Sequence, residues 1–338
     1  YEITHDDDLF KPGHRACAGC GPALAMRYLT EATGENTIIS HATGCMEVVS
    51  SPYPESSWDV SWIHDVFANA PGVGSGVEAA YRAFDNKEGF EEYESHDDVN
   101  FVVIGGDGAT FDIGMRSLSG MMERGHDILY LAYDNEAYMN TGIQRSSSTP
   151  FAAATTTSPA GEESFGNDTN KKNMPAIAAA HGCEYVATAS IAYPRDFKQK
   201  VEKALEHDGP KYIQVSAPCM LGWEFDTSET ITVADLGVET GMYPLFEMED
   251  GEITDVRTVR DRKPVEEYLE KQGRFSHLFE KEGRGSHRGN PTGHRRTRRG
   301  TRSRRLRTNR FSRRFCVTPI QTPTLPSSPS PFPTPNAH

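Results

Sequence analysis

No run of eighteen or more apolar residues occurs in this 338-residue chain, so nothing in it reads as a membrane span. Cysteine is scarce, six in all, which is too few for a disulfide scaffold in a chain of this length. No export signal is expected either. The opening stretch, YEITHDDDLFKPGH, is acidic, has no apolar h-region and no starting Met, and is expected to be neither a signal peptide nor the native start. Sparse cysteines without an export signal point to metal or cluster ligation in the cytoplasm rather than to cross-links.

Charge of one sign is missing from each end of the chain in turn. Residues 283–338 contain 13 Arg and no Lys, Asp or Glu, whereas residues 1–282 hold 22 basic and 48 acidic residues, a formal charge of −26. An acidic body argues against nucleic-acid binding by the folded part. The tail is Arg-rich to Arg314 and Pro/Ser/Thr-rich beyond it, and its composition predicts disorder. Arg without Lys is also what Glu-rich codons yield when read one base out of frame. One codon choice for His287–Arg299 shifts into an acidic, helix-compatible segment. The expectation is therefore a single domain over residues 1–282 and a tail that is a frameshift artefact without function.

What is present in the body is a succession of short β-rich runs closed by glycine or a polar residue and followed by helical stretches, the pattern of a parallel α/β sheet. The clearest strand is Phe101–Ile104, running into Gly105-Gly106-Asp107-Gly108, and a helix is expected over Ile113–Glu123. A second strand, Ile128–Tyr133, ends at Asp134-Asn135. Further on, helices are expected near Met174–His181 and Pro194–Glu206, and strands near Glu184–Ala187 and Tyr212–Val215. The Ser/Thr/Gly-rich residues 145–172 read as a long mobile loop. Ligands of open parallel sheets sit at the carboxyl ends of the strands. Asp107, Asn135 and Cys219 each follow such an end, so the sheet is expected to present them along one edge.

A lone Gly-Asp-Gly is most often a turn. Here Asn135 follows Asp107 by 28 residues, after one strand–helix–strand unit, which makes their two loops neighbours. An Asp carboxylate and an Asn carbonyl oxygen can then converge on one Mg²⁺ beside a diphosphate. The other candidate constellation is ACAGCGP, with Cys17 and Cys20 at CxxC spacing. Such a pair forms a redox disulfide, half a zinc site, or two ligands of an iron–sulfur cluster. GVGSGVEAA has misspaced glycines for a dinucleotide fingerprint and no clear strand before it, so close helix packing is the better reading.

Taken together, GDGATFDIG, DNEAYMNTG, PGHRACAGCGPALAMRYL, HATGCMEVVSSPYP and WIHDVFANAPGVGSGVEAAYRAF resemble the β subunits of the multi-subunit 2-oxoacid:ferredoxin oxidoreductases, those acting on pyruvate in particular. The resemblance spans about residues 10–280. It implies an α/β thiamine diphosphate-binding fold with a mainly parallel sheet flanked by helices on both faces. It implies Mg²⁺ ligation by Asp107, by Asn135 and by the backbone carbonyl of Ala137, with Gly106, Gly108 and Ala109 along the diphosphate. Asn140 would steady the substrate, as the catalytic residue, and Thr141 would help to hold the cofactor. Ala109 departs from the polar residue many thiamine enzymes carry there. The resemblance also assigns Cys17, Cys20, Cys45 and Cys219 to one 4Fe–4S cluster, a set that zinc would equally accept.

The activity so implied is oxidative decarboxylation of pyruvate to acetyl-CoA and CO₂, with coenzyme A as co-substrate and ferredoxin taking single electrons, a chemistry of anaerobic metabolism. A Glu against the aminopyrimidine would come from an α subunit, since no Glu here has a motif context for it. γ and δ subunits are expected too, and neither nucleic acid nor membrane. Other 2-oxoacids, or a non-redox thiamine-dependent decarboxylase or synthase, are the alternatives. Cys183 reads as a core residue, and Cys316 lies in the tail. His64, with Trp58 and Trp62, faces either the cofactor cleft or the core. For His14 and His41, which flank cysteine segments, packing outweighs donation to cluster sulfurs.

Overall fold

The computed structural model describes residues 8–52, 54–89 and 95–279. The expected boundary at 282, the tail 283–338 and Cys316 lie outside the described residues. Strands β1 (Thr37–Ala42), β2 (Ser61–Asp65), β3 (Asn100–Gly106), β4 (Leu129–Asp134), β5 (Tyr185–Ser190) and β6 (Lys211–Ser216) run parallel. β7 (Phe246–Glu249) and β8 (Glu252–Val256) add an antiparallel hairpin, giving the order β2–β1–β3–β4–β6–β5–β7–β8. The helices are α1 (Gly21–Thr33), α2 (Cys45–Ser50), α3 (Ala70–Phe84), α4 (Met115–Glu123), α5 (Met174–Ala180), α6 (Pro194–Leu205), α7 (Met220–Trp223), α8 (Thr230–Glu239) and α9 (Val265–Glu270). None of them is long and apolar enough to cross a membrane.

Parallel strands covered on both faces read as continuous apolar runs, and every residue of β4, β5 and β6 is buried. Alternation divides the strands between two cores. Val102, Ile104, Leu129, Leu131, Ile213 and Val215 meet Met26 and Leu29 of α1 and Phe197 and Val201 of α6. Phe101, Val103, Tyr130 and Tyr212 meet Leu118 and Met121 of α4 and Met174 and Ala178 of α5 on the other face. Each such fully buried large side chain contributes about 1.5–3 kcal/mol. Proline in the first turn, where its missing N–H costs nothing, starts α1, α3, α5 and α6.

The mainly parallel sheet with helices on both faces is the architecture expected from the sequence, but three local readings change. β1 and β2, unassigned from sequence, form one wing of the sheet, and β2 does precede GVGSGVEAA. Gly74 there nevertheless serves close packing, because a Cβ on it would stand 2.5 Å from Val103 Cγ2. The helix expected at Ile113 starts earlier, as a π-helical turn over Gly108–Ile113 that leads into α4. Residues 145–172 are not a mobile loop. Ser146, Ser148, Thr149, Ala152, Ala153 and Asn167 are buried, and the segment is tied down by hydrogen bonds to the ends of β3 and β4.

Candidate active site at the strand carboxyl ends

β1 and β3 are neighbours, yet the chain continues from β1 to its far side, β2, and from β3 to the opposite side, β4. Their connections therefore leave in opposite directions and open a crevice at the carboxyl ends, the switch point where ligands of such sheets bind. A cavity of about 190 Å³ lies in that crevice, with Thr43, Gly44 and Cys45 from the end of β1 and Gly106, Asp107 and Gly108 from the end of β3. Asn135, Ala137, Asn140 and Thr141, after β4, close it from the other side. Seven of the eight residues expected at the cofactor thus line one cavity. Ala109 does not, being 2% exposed inside the π-helical turn. Aromatic neighbours set how close the backbone can come: a Cβ on Gly108 would stand 2.3 Å from the Tyr138 ring.

Asp107 is the electrostatic centre of the site. It is fully buried, accepts a hydrogen bond from Ser146 Oγ, and makes no ion pair among the described residues. Burial, and then the nearby Asp134 carboxylate, push its carboxyl well above the usual range. One end of the Asn135 amide stands 2.8 Å from Asp107 Oδ1 and 2.9 Å from the Ala137 carbonyl oxygen. With nitrogen at that end the amide donates to both. With oxygen there, three oxygens converge, which is the donor set a hard divalent cation takes. That donor set fits Mg²⁺.

The surrounding charges were not foreseen from the sequence. Asp134 accepts from Ser148 Oγ at 2.5 Å and Gln214 Nε2 at 2.8 Å, and pairs with Lys171 Nζ at 2.6 Å. Glu136 pairs with Lys171 at 2.9 Å and Arg274 at 2.7 Å. Burial alone would raise the Glu136 carboxyl, but the two cations outweigh it and hold it below the usual value. Three buried carboxylates thus face two cations, and Asp107 is the one left over. The acidic signal was in DNEAYMNTG; Lys171 and Arg274, far along the chain, carried none.

All five described cysteines are free thiols, so Cys17 and Cys20 form no disulfide. Cys17 and Cys20 share one turn, with Cys20 N donating to Cys17 O at 3.1 Å. That turn abuts the Cys219 segment: Thr230 Oγ1 donates to Gly19 O at 2.7 Å, and a Cβ on Gly21 would stand 2.5 Å from Pro218 O. Cys45 enters from the cavity wall. Burial, first of all, pushes the Cys20 and Cys45 thiols up to about 12, and each of the two also feels the charge of Cys219 and Cys17. Among the described residues no three His, Cys, Asp or Glu side chains are placed to hold a single metal ion.

Cys183 is a core residue of the α4/α5 face. His41 is fully buried, accepts from Trp62 Nε1 at 3.3 Å, and meets Trp58 edge-on. His14 stacks on Phe10. His64 hydrogen-bonds Thr43 Oγ1 at 3.2 Å and pairs with Glu47 at 3.3 Å; neither it nor Trp58 nor Trp62 lines the cavity.

A parallel sheet whose switch point gathers an Asp and an Asn from adjacent strand ends is one that binds a ligand there. Residues 42–215 match the model of the thiamine pyrophosphate enzyme C-terminal TPP-binding domain. The chain is 58% identical over 271 residues to the pyruvate synthase subunit PorB of Methanosarcina barkeri, covering 80% of this chain and 88% of that one. It is 47% identical to PorB of Pyrococcus furiosus, with 81% and 88% covered, and 44% identical to the ketoisovalerate oxidoreductase subunit VorB of Pyrococcus abyssi, with 80% and 86% covered. The chain belongs to this family, the β subunits of the 2-oxoacid:ferredoxin oxidoreductases. Its fold is also that of a chain in the 2-oxoglutarate:ferredoxin oxidoreductase of Magnetococcus marinus, with a TM-score of 0.54, 20% identity, and 80% and 92% covered.

Proposed function

We propose that this chain is the thiamine- and cluster-bearing subunit of an enzyme that oxidatively decarboxylates pyruvate to acetyl-CoA and CO₂, passing two electrons singly to ferredoxin. Bound thiamine diphosphate supplies the electron sink that decarboxylation of a 2-oxoacid needs. Asp107, the Asn135 amide oxygen and the Ala137 carbonyl would hold Mg²⁺, and Gly106 and Gly108, packed directly on the Tyr133 and Tyr138 rings, would lie along the diphosphate at the cavity wall. Asn140 and Thr141, at the cavity wall, orient substrate and cofactor. Ala109 contributes only from behind. The observation that carries the reading is Asp107, a buried carboxylate without a cation, facing two further oxygen donors in a crevice that Cys45 also walls.

Cys17, Cys20, Cys45 and Cys219 ligate one 4Fe–4S cluster in this reading. A zinc ion needs its ligands to converge on one point, whereas each thiolate of a cubane binds a different iron. Cys20 and Cys45 each feel the charge of Cys17 and Cys219, which supports grouping the four around one centre. Anaerobic purification of the whole complex, followed by iron, sulfide and EPR measurements, tests this. A cluster signal that appears on adding pyruvate supports it, and an active, iron-free, zinc-loaded complex overturns it.

The site is half a site. About 190 Å³ is less than the 300–1,000 Å³ of pockets that enclose a ligand of this size, and no Glu lines the cavity. An α subunit completes it and supplies the activating carboxylate, within a cytoplasmic complex that also holds γ and δ subunits. Ferredoxin reduction by the isolated chain with pyruvate and coenzyme A would refute this. The 44% identity to a ketoisovalerate oxidoreductase subunit favours a second reading, branched-chain 2-oxoacids. Turnover of the complex with pyruvate, 2-oxoglutarate and 2-oxoisovalerate separates them. For the chain itself, we infer one domain over residues 1–282 and a frameshifted tail over 283–338, which sequencing of the gene tests.

A further inference from the structure

Glu136 stands between Asn135 and Ala137, the two residues read above as cation ligands beside Asp107. Its backbone is left-handed, with φ at 66°, a conformation that a side-chain-bearing residue keeps only when its surroundings hold it. Those surroundings reach it from two distant segments. Lys171 Nζ, from the 145–172 segment, lies 2.9 Å from one carboxylate oxygen, and Arg274 Nη2 lies 2.7 Å from the other.

The backbone on either side is fixed as well. Trp223 Nε1 donates to the Asn135 carbonyl at 2.7 Å, and Thr149 Oγ1 donates to the Glu136 carbonyl at 2.7 Å. The Arg274 guanidinium lies 3.8 Å over the Trp223 ring, so the two groups that reach the turn from the C-terminal side are packed on each other. Buried ion pairs add little net stability compared with apolar replacements of similar size. Their effect here is geometric.

We propose that Lys171, Arg274 and Trp223 are positioning residues. They clamp Glu136 in its left-handed turn so that the Asn135 amide oxygen and the Ala137 carbonyl meet the cation together. The proposal rests on the Mg²⁺ reading of Asp107, Asn135 and Ala137. It adds to that reading the residues that preform the site, none of which touches the cation.

The test is titration of the intact complex, with thiamine diphosphate present, with Mn²⁺ as an EPR-visible probe of the site. Lys171→Met and Arg274→Met are expected to raise the Mn²⁺ dissociation constant about 10–100-fold, the usual cost of losing a group that orients metal ligands. Arg274→Lys keeps a charge near Glu136 but loses the flat stack on Trp223, so it should fall between wild type and Arg274→Met. Trp223→Phe keeps an aromatic face under Arg274 while losing the hydrogen bond to Asn135 and part of the buried indole volume. It leaves both buried ion pairs intact, so it is a second route to the test if the charge variants do not fold. Its expected loss is several-fold.

Variants that bind Mn²⁺ like the wild type overturn the clamp, and so does a lower metal-free melting temperature with unchanged affinity, which marks a merely structural role. Should the wild-type complex show no Mn²⁺ binding that Asp107→Asn abolishes, the cation reading itself falls and takes the clamp with it.

Discussion

Two buried carboxylates flank the same sheet, and their surroundings have opposite effects. Glu78, on α3 near the amino ends of the strands, accepts hydrogen bonds from His126 Nδ1 at 2.6 Å and His96 Nε2 at 3.0 Å, and pairs with Arg82. Burial alone would raise its carboxyl, but these partners outweigh burial and hold it below the usual value. Asp107, at the carboxyl ends, has a serine and another carboxylate instead, and is pushed well up. A carboxylate whose partners are all supplied by the chain is structural. One left short of positive charge in a crevice is a candidate for binding, and the proposed cation site rests on that contrast.

Removing each charge in turn sharpens the contrast. Asp107→Asn should cost on the order of 10³-fold in turnover of the complex, because an electrostatic anchor of the cofactor is lost. Its metal-free melting temperature should stay equal or rise, since a buried uncompensated charge goes with it. An unstable Asp107→Asn protein would erase the difference between the two sites. Glu78→Gln should do the reverse, losing about 3 kcal/mol of stability at neutral pH while specific activity per folded enzyme stays unchanged.

The sign of the pH dependence follows from the lowered carboxyl. Glu78 stabilises the fold above its unfolded value of about 4.3, and that contribution disappears as pH falls through the lower folded value. Urea melts at pH 7 and pH 4 read both numbers, and an unchanged difference in Glu78→Gln would count against the assignment.

His41 is a third case, buried and titratable with no ionic partner. Burial, reinforced by His64, depresses it from 6.5 to about 3. The unfolded chain takes up the proton first, so stability is whole above pH 6.5 and falls by about 1.4 kcal/mol per unit as pH drops toward 3. His41→Gln should flatten that part of the curve, and melts at pH 7 and pH 5 check it. The smallest effect is at Gly76, inside α3, where an added Cβ meets nothing within 4 Å. Gly76→Ala should stabilise by about 0.5–1 kcal/mol, against the clash that Gly108→Ala would create at the cofactor wall.

Much of this site is legible before folding. The apolar runs of β3, β4 and β6, ended by Gly-Asp-Gly, by Asn135 and by the Cys219 segment, announce strands whose carboxyl ends share an edge. Strand–helix–strand connectivity is enough to make Asp107 and Asn135 neighbours. Other elements are hidden because their signals are polar. β1 contains Ser40 and His41, so no continuous apolar run marks it, and only in the fold does Ser40 Oγ donate to Asp65 Oδ2 at 3.1 Å and to Ala70 O at 3.0 Å. The serines of 145–172 read as a free loop because their partners, Asp107 and Asp134, lie elsewhere in the chain.

The sequence by itself determined where β3, β4 and β6 end and which polar residues follow them, since local patterning is written in neighbouring residues. Only the tertiary structure decided that β1 and β3 lie side by side and open the crevice, that Cys45 forms its wall, and that Lys171 and Arg274 grip Glu136. Strand order and charge pairing depend on contacts between distant segments, whose gain in free energy exists only once the chain has closed those loops.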